Sequence, residues 1–271
     1  MKKIIPVLLL TLILTLTSHR ALAVNFYDGA RAKGNYFLSY TSVYLADETT
    51  DSKGKKSRDN YDLAKVEELL RWSYYTGDFV ASALVPVAHM SVGSLDQESS
   101  GLGDIILGAG YFLPCKQADI LPMVFVKFPT GEYRADKAVN IGSNQYDVRP
   151  MIFLYKNLGK FSIDAVAKYF IRFQNPDTNI LPGNEFHLQG LVGYNVTDRF
   201  KLGPSVNWMI SRCKEVNGGK IADSARESLS MGADIYYRFP KISLTATYLY
   251  DVYTENSIKG HFFQLKAVYR F

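Results

Sequence analysis

The residues of this 271-residue chain with most chemical potential are charged side chains that recur at even spacings among apolar ones. They are Lys127, Asp147, Arg149, Asp164, Lys168, Arg172, Asp234, Arg238, Asp251 and Lys266. Even spacing puts such groups on one face of an extended strand. Charges of both signs on that face can order water and steer solutes through a pore. They can equally pair across strands and fill an interior, because buried charges require partners. Phe112, Phe125, Phe153, Phe170 and Tyr236 fall on the same faces and would either hold apolar or aromatic solutes or serve as packing. Together these residues are the candidate lining of a lumen.

Catalytic chemistry has little to draw on. The histidines His19, His89, His187 and His261 are scattered without metal-ligand spacing, so no metal and no other cofactor is expected. No G-x-S-x-G element and no glycine-rich phosphate loop is present. A lipase-like pair on a lipid-facing surface would have to join His261 to Ser42 on the first strand. No enzyme is expected.

The elements that must position these side chains are strands. From Asn35 to Phe271, stretches of about ten to fourteen residues alternate apolar and polar positions, the period of a strand with unlike faces. In the stretch from Phe161 to Phe173 the odd positions are nearly all apolar, and Asp164, Lys168 and Arg172 sit among the even ones. Short links at Thr76-Gly77, Cys115 to Ala118, Asn157 to Gly159, Thr197-Asp198 and Phe239-Pro240 alternate with longer polar ones. The longer links run from Ala46 to Asn60, Ser91 to Leu102, Glu132 to Ser143, Gln174 to Asn184, Cys213 to Ala225 and Thr254 to Ser257. Tight periplasmic turns at one rim and longer extracellular loops at the other are the pattern of an outer-membrane barrel. The expected fold is all-β, a transmembrane antiparallel up-and-down β-barrel of about twelve strands spanning residues 35–271, with both mature ends periplasmic.

Tyr36, Trp72, Tyr74, Tyr111, Tyr194 and Tyr250 lie near strand ends and are expected in the interfacial girdles. The second strand breaks the pattern, because Glu68 shares a face with Val66, Leu70, Trp72 and Tyr74; a bulge or an extracellular bend would account for it. The closing Tyr269-Arg270-Phe271 resembles the aromatic-ended last strand read by the barrel assembly machinery, an expected partner through Phe271.

Ahead of the barrel, Met1-Lys2-Lys3, an apolar run from Ile4 to Thr17 and Ala21-Leu22-Ala23 form a cleavable signal peptide, residues 1–23. Residues 24–34 form a periplasmic N-terminal segment without strand period, either a tail or a short plug in the lumen. The formal charge of +5 falls to +2 once Lys2, Lys3 and Arg20 leave with the signal, which does not suggest nucleic acid. Cys115 and Cys213 fall at opposite ends of the molecule and are expected as free thiols.

Several segments together resemble the outer-membrane transporter family labelled for the meta-pathway of phenol degradation. They are Gly34-Asn35-Tyr36-Phe37-Leu38-Ser39-Tyr40, Tyr44-Leu45-Ala46-Asp47, Gly101-Leu102-Gly103-Asp104-Ile105-Ile106-Leu107-Gly108, Lys127-Phe128-Pro129-Thr130-Gly131-Glu132-Tyr133 and Ile141-Gly142-Ser143-Asn144-Gln145-Tyr146-Asp147-Val148-Arg149-Pro150. On the residues' own account, Gly108 and Gly110 would leave the lumen open beside Lys127. The resemblance implies a barrel associated with passage of hydrophobic or aromatic small molecules and assigns no catalytic residue. The expected function is an outer-membrane channel for passive passage of small hydrophobic or aromatic solutes, with lipid and solute as partners. The alternative is a non-transporting structural or adhesive barrel acting through its extracellular loops.

Overall fold

The computed structural model describes residues 23–271; the signal peptide expected at residues 1–23 lies outside the described residues except for Ala23. Twelve strands among them build the wall: β1 (Gly34–Thr50), β2 (Leu63–Tyr75), β3 (Phe79–Val92), β4 (Ile106–Tyr111), β5 (Asp119–Lys127), β6 (Asp147–Leu158), β7 (Phe161–Arg172), β8 (Glu185–Asn195), β9 (Phe200–Ser211), β10 (Glu227–Arg238), β11 (Ile242–Glu255) and β12 (Ile258–Arg270). Each pairs antiparallel with its sequence neighbours, and β1 closes onto β12 from Tyr36 opposite Arg270 to Thr49 opposite Ile258. Closure leaves no unpaired strand edge in the bilayer, where a free backbone donor or acceptor is costly. The expected twelve-stranded up-and-down barrel is therefore the fold.

Alternation sets the two faces. In β7 the even positions from Ser162 to Arg172 are buried and the odd ones are partly or fully exposed. Leu107, Val124, Ile152, Leu188, Val192, Ile235 and Leu265 lie on the outer surface, an apolar band suited to lipid. The short links gather at one rim and the longer ones at the other. At the long-loop rim, Ile180–Leu181 pairs with Glu215–Val216, which pairs with Gly219–Lys220, joining the loops before β8 and β10. Cys115 lies in a short link and Cys213 in a long loop, and both are free.

Three local expectations change. The second strand has no bulge: β2 pairs with β1 and β3 in unbroken register from Leu63 to Tyr75. Glu68 stays on the outer face because the Ser39 and Thr41 hydroxyls of β1 donate to its carboxylate at 2.5 and 2.6 Å. Tyr36 is no girdle residue; it turns inward, its ring 5.3 Å edge-on from Tyr75, whereas Trp72, Tyr74, Tyr111 and Tyr194 are exposed on the outer face. Nor do Gly108 and Gly110 leave open space. Each faces a larger side chain across the β4–β5 pair, and a Cβ at Gly108 would come 2.2 Å from the Phe125 ring and one at Gly110 2.4 Å from Met123.

The fourth strand is split. Gln97–Leu102 pairs with β3 from Val92 to Val87, and β4 resumes at Ile106 opposite Leu84. Residues 103–105 form the break and turn Asp104 into the interior, where it is fully buried.

Candidate functional site

Residues 24–33 lie inside the barrel at its short-turn end, held by backbone and side-chain bonds to the wall. Asn25 Nδ2 donates to Asp234 Oδ1 at 3.1 Å and to Thr247 Oγ1 at 2.9 Å. The Tyr27 amide donates to Asp164 at 2.7 Å, and Asp28 pairs with Lys266. Phe26 meets Tyr236 edge-on at 5.8 Å. It fits because β8 carries no side chain at Gly193, where a Cβ would come 2.3 Å from the Phe26 ring. Arg31 lies over Phe112 at 4.7 Å, pairs with Asp78, and donates to the Leu113 carbonyl at 3.2 Å. Of the tail and the plug, the plug describes this placement. Three of the candidate lining residues, Asp164, Asp234 and Lys266, thus bond to the segment itself.

The long-loop half is organised around Asp104. Its carboxylate accepts from the Gly131 amide at 3.0 Å, the Ser143 amide at 3.0 Å and the Ser143 hydroxyl at 2.6 Å. Lys127 Nζ stands 3.2 Å from Asp104 and 3.1 Å from Asp147, and Arg149 Nη2 reaches Asp147 at 2.8 Å. The backbones touch here as well, since a Cβ at Gly131 would come 2.7 Å from Gly103 and 2.8 Å from Gly142. Only glycines permit that approach. The loop so anchored folds inward: Val139 and Ile141 are buried in one apolar cluster with Tyr44, Leu63, Met90 and Phe262 from the wall.

A second ion-pair centre forms on Glu185, the first residue of β8. Arg172 Nη2 lies 3.0 Å from its carboxylate, His187 Nε2 3.0 Å, and Arg226 completes the group. Asp251 accepts from Tyr44 at 2.9 Å, Ser230 at 2.6 Å and the Gly260 amide at 3.0 Å. Arg238 stands apart from these groups: it is exposed at the short-turn rim and donates to the Asp198 carbonyl at 2.9 Å.

Between the N-terminal segment and the loop centre lies a cavity of about 90 Å³. Phe125, Phe153 and Phe170 line it together with Lys168 and Arg149, whose guanidinium lies 4.5 Å over the Phe170 ring. Five of the charged and aromatic candidates, Phe125, Arg149, Phe153, Lys168 and Phe170, therefore meet on one stretch of wall, β5 to β7. Asp104, Glu185 and Arg226 were not among the candidates. The inward parity that Glu185 shares with His187 and Gln189 was a usable signal; Asp104 had none, because it lies in the break.

Ser42 and His261 do not come together. Ser42 is buried on the inner face, where its hydroxyl meets the Glu67 carbonyl, whereas His261 is outside with Nδ1 2.9 Å from the Tyr248 hydroxyl. Even and odd positions of paired strands place them on opposite sides of the wall. Among the described residues no group of three or more His, Cys, Asp or Glu is placed to hold a metal ion.

A closed antiparallel barrel with an apolar exterior and a charged, aromatic interior defines an outer-membrane channel fold. Residues 46–267 match the family model described as "Putative MetA-pathway of phenol degradation", and the chain belongs to that family. No curated protein matches it. Among solved structures, an outer membrane channel from Pseudomonas putida F1 is similar at 22% identity over 92% of this chain and 100% of that one, with a TM-score of 0.84. The NanC porin is similar at 13% identity over 86% and 100% of the two chains, with a TM-score of 0.53. The β domain of the Bordetella autotransporter BrkA is similar at 10% identity over 89% and 100%, also at 0.53.

Proposed function

We propose that this chain is a passive outer-membrane channel for small hydrophobic or aromatic solutes. The observation that carries the reading is the interior cavity, where Phe125, Phe153 and Phe170 face the same space as Arg71, Arg149, Lys168, Asp28 and Glu67. Ligand sites combine apolar lining with a few placed polar groups in this way. The family label, and the similarity to an outer membrane channel over the full length of that protein, support it.

In this reading the short-turn rim and both chain ends face the periplasm. Phe271, 74% exposed beyond β12, is the recognition element for the barrel assembly machinery. Residues 24–33 and the loop anchored by Asp104 narrow the path from opposite ends, so passage is selective and slow. Planar-bilayer recording tests the proposal: small discrete conductance steps are expected, and a purified, folded protein with no steps contradicts it.

A further inference from the structure

At the short-turn end a second and larger space, about 280 Å³ in volume, lies between residues 24–33 and the wall. It reaches the rim at Arg238, which is exposed, so a solute has access to it without crossing the smaller cavity. Two groups of aromatic rings line it. Phe26 and Tyr27 of the N-terminal segment pack on Tyr236 of β10 with centroids 5.8 and 5.3 Å away, and Tyr36 of β1 stands 5.3 Å edge-on from Tyr75 of β2. A cavity of about 150 Å³ holds benzene in another protein. On that scale this space has room for one ring with a substituent.

The charged lining is mostly of one sign. Arg31, Arg71, Arg238 and Lys266 share it with a single carboxylate, Asp28. Asp28 is paired with Lys266, and Arg31 with Asp78 and, at 3.7 Å, with Asp119, both outside the lining. Arg71 is held instead by the Ser73 and Ser82 hydroxyls at 2.8 and 3.1 Å, and Arg238 by the Asp198 carbonyl at 2.9 Å; among the described residues neither stands in an ion pair. Two guanidinium charges are thus not balanced by a carboxylate. Arg71 is only 8% exposed, so solvent screens its charge little. A guanidinium has five N–H donors, more than these hydroxyls or that one carbonyl take up. A surplus of positive charge in a recess concentrates anions and disfavours cations.

We infer that this space is a binding subsite for a single-ring aromatic monocarboxylate, its ring among Phe26 and the tyrosines and its carboxylate turned to Arg71 and Arg238. The inference rests on the channel reading above and names a solute class for its short-turn mouth. Charge-assisted bonds to a carboxylate are roughly twice as strong as neutral ones. A ring without the acid leaves the two guanidinium charges unbalanced, and an acid without the ring leaves the aromatic lining uncovered.

Calorimetric titration of the folded protein in micelles with benzoate, benzyl alcohol, acetate and benzylamine tests the inference. Benzoate is expected to bind, and the other three to bind weaker by about tenfold or more, the equivalent of one charge-assisted bond. Arg71→Met should weaken benzoate by about tenfold, and Arg238→Gln, at an exposed position, by about threefold, each narrowing the preference over benzyl alcohol. Arg238→Gln alters no buried group, so it decides even where Arg71→Met does not fold. Benzoate binding no tighter than benzyl alcohol, benzylamine binding tightest, or an Arg238→Gln protein that keeps the full benzoate preference would each overturn the subsite. Conductance of the same samples separates the two claims. Steps without a benzoate preference overturn the subsite alone, whereas the absence of steps overturns the channel reading on which it rests.

Discussion

Lys127 Nζ lies 3.2 Å from the Asp104 carboxylate, and this pair joins the end of one wall strand to the break in its neighbour. Through Asp104 the amides of Gly131 and Ser143 are drawn to the same point, so one buried carboxylate fixes both ends of an inward-folded loop. The pair controls the shape of the interior as well as its stability.

Asp104→Ala should therefore do two things. Removing one partner of a buried ion pair costs about 3–5 kcal/mol, and Lys127 retains Asp147, which puts the loss near the lower figure. Urea unfolding in micelles measures it. The released loop should also raise single-channel conductance, which stability loss alone does not do.

The N-terminal segment makes a separate prediction. Deleting residues 24–33 removes Phe26 from above Gly193 and frees Asp164, Asp234 and Lys266 to face solvent. Conductance should rise well above that of the full chain while the barrel remains heat-modifiable on gels. Unchanged conductance would mean that the segment does not narrow the path.

How much of this was legible in the sequence depends on the distance over which each feature is decided. The strand count, the alternation of short and long links and the inward faces of β7 and β10 follow from a two-residue period carried by the strands themselves. β1 is ambiguous because both its faces are apolar, with Phe37 and Leu45 outside and Leu38 and Tyr40 inside, so the inward turn of Tyr36 is not legible in the sequence. The plug and the inward loop have no period, and their partners Asp234, Asp164 and Asp104 lie far away in the chain. Gly108 looks like empty space in the sequence because its occupant, Phe125, comes from the facing strand.

That last pairing can be tested directly. A Cβ at Gly108 falls on the Phe125 ring, so Gly108→Ala should cost about 1–3 kcal/mol by overpacking. Combining it with Phe125→Leu should recover part of the loss, and a double-mutant cycle on urea midpoints reads the coupling. Additive effects would contradict the contact.

Glu68 is a carboxylate on the outer face, tied to Ser39 and Thr41. Ionisable groups on the lipid face cost up to about 2–4 kcal/mol, acids less than bases, so Glu68→Leu should stabilise the barrel by about 1 kcal/mol. A marked loss of stability would show that the three-residue hydrogen-bond group outweighs its placement.

Cys213, in a long loop, and Cys115, in a short link, allow the proposed orientation of the rims to be tested. Slight burial raises the Cys213 thiol pKa, but hydrogen bonds from the Ser224 and Ala225 backbone and the Ser224 hydroxyl outweigh it and hold the pKa below the ordinary cysteine value. Its thiolate fraction at neutral pH is correspondingly larger. A membrane-impermeant maleimide added to intact cells should label Cys213 and spare Cys115. The reverse would invert the barrel.

The central claim is passage of small aromatic solutes, and uptake into proteoliposomes tests it most directly. Vesicles containing the folded barrel should take up a labelled single-ring solute faster than protein-free vesicles and faster than they take up a sugar of similar size. Uptake equal to that of protein-free vesicles, or a sugar passing as readily as the ring, would contradict the account.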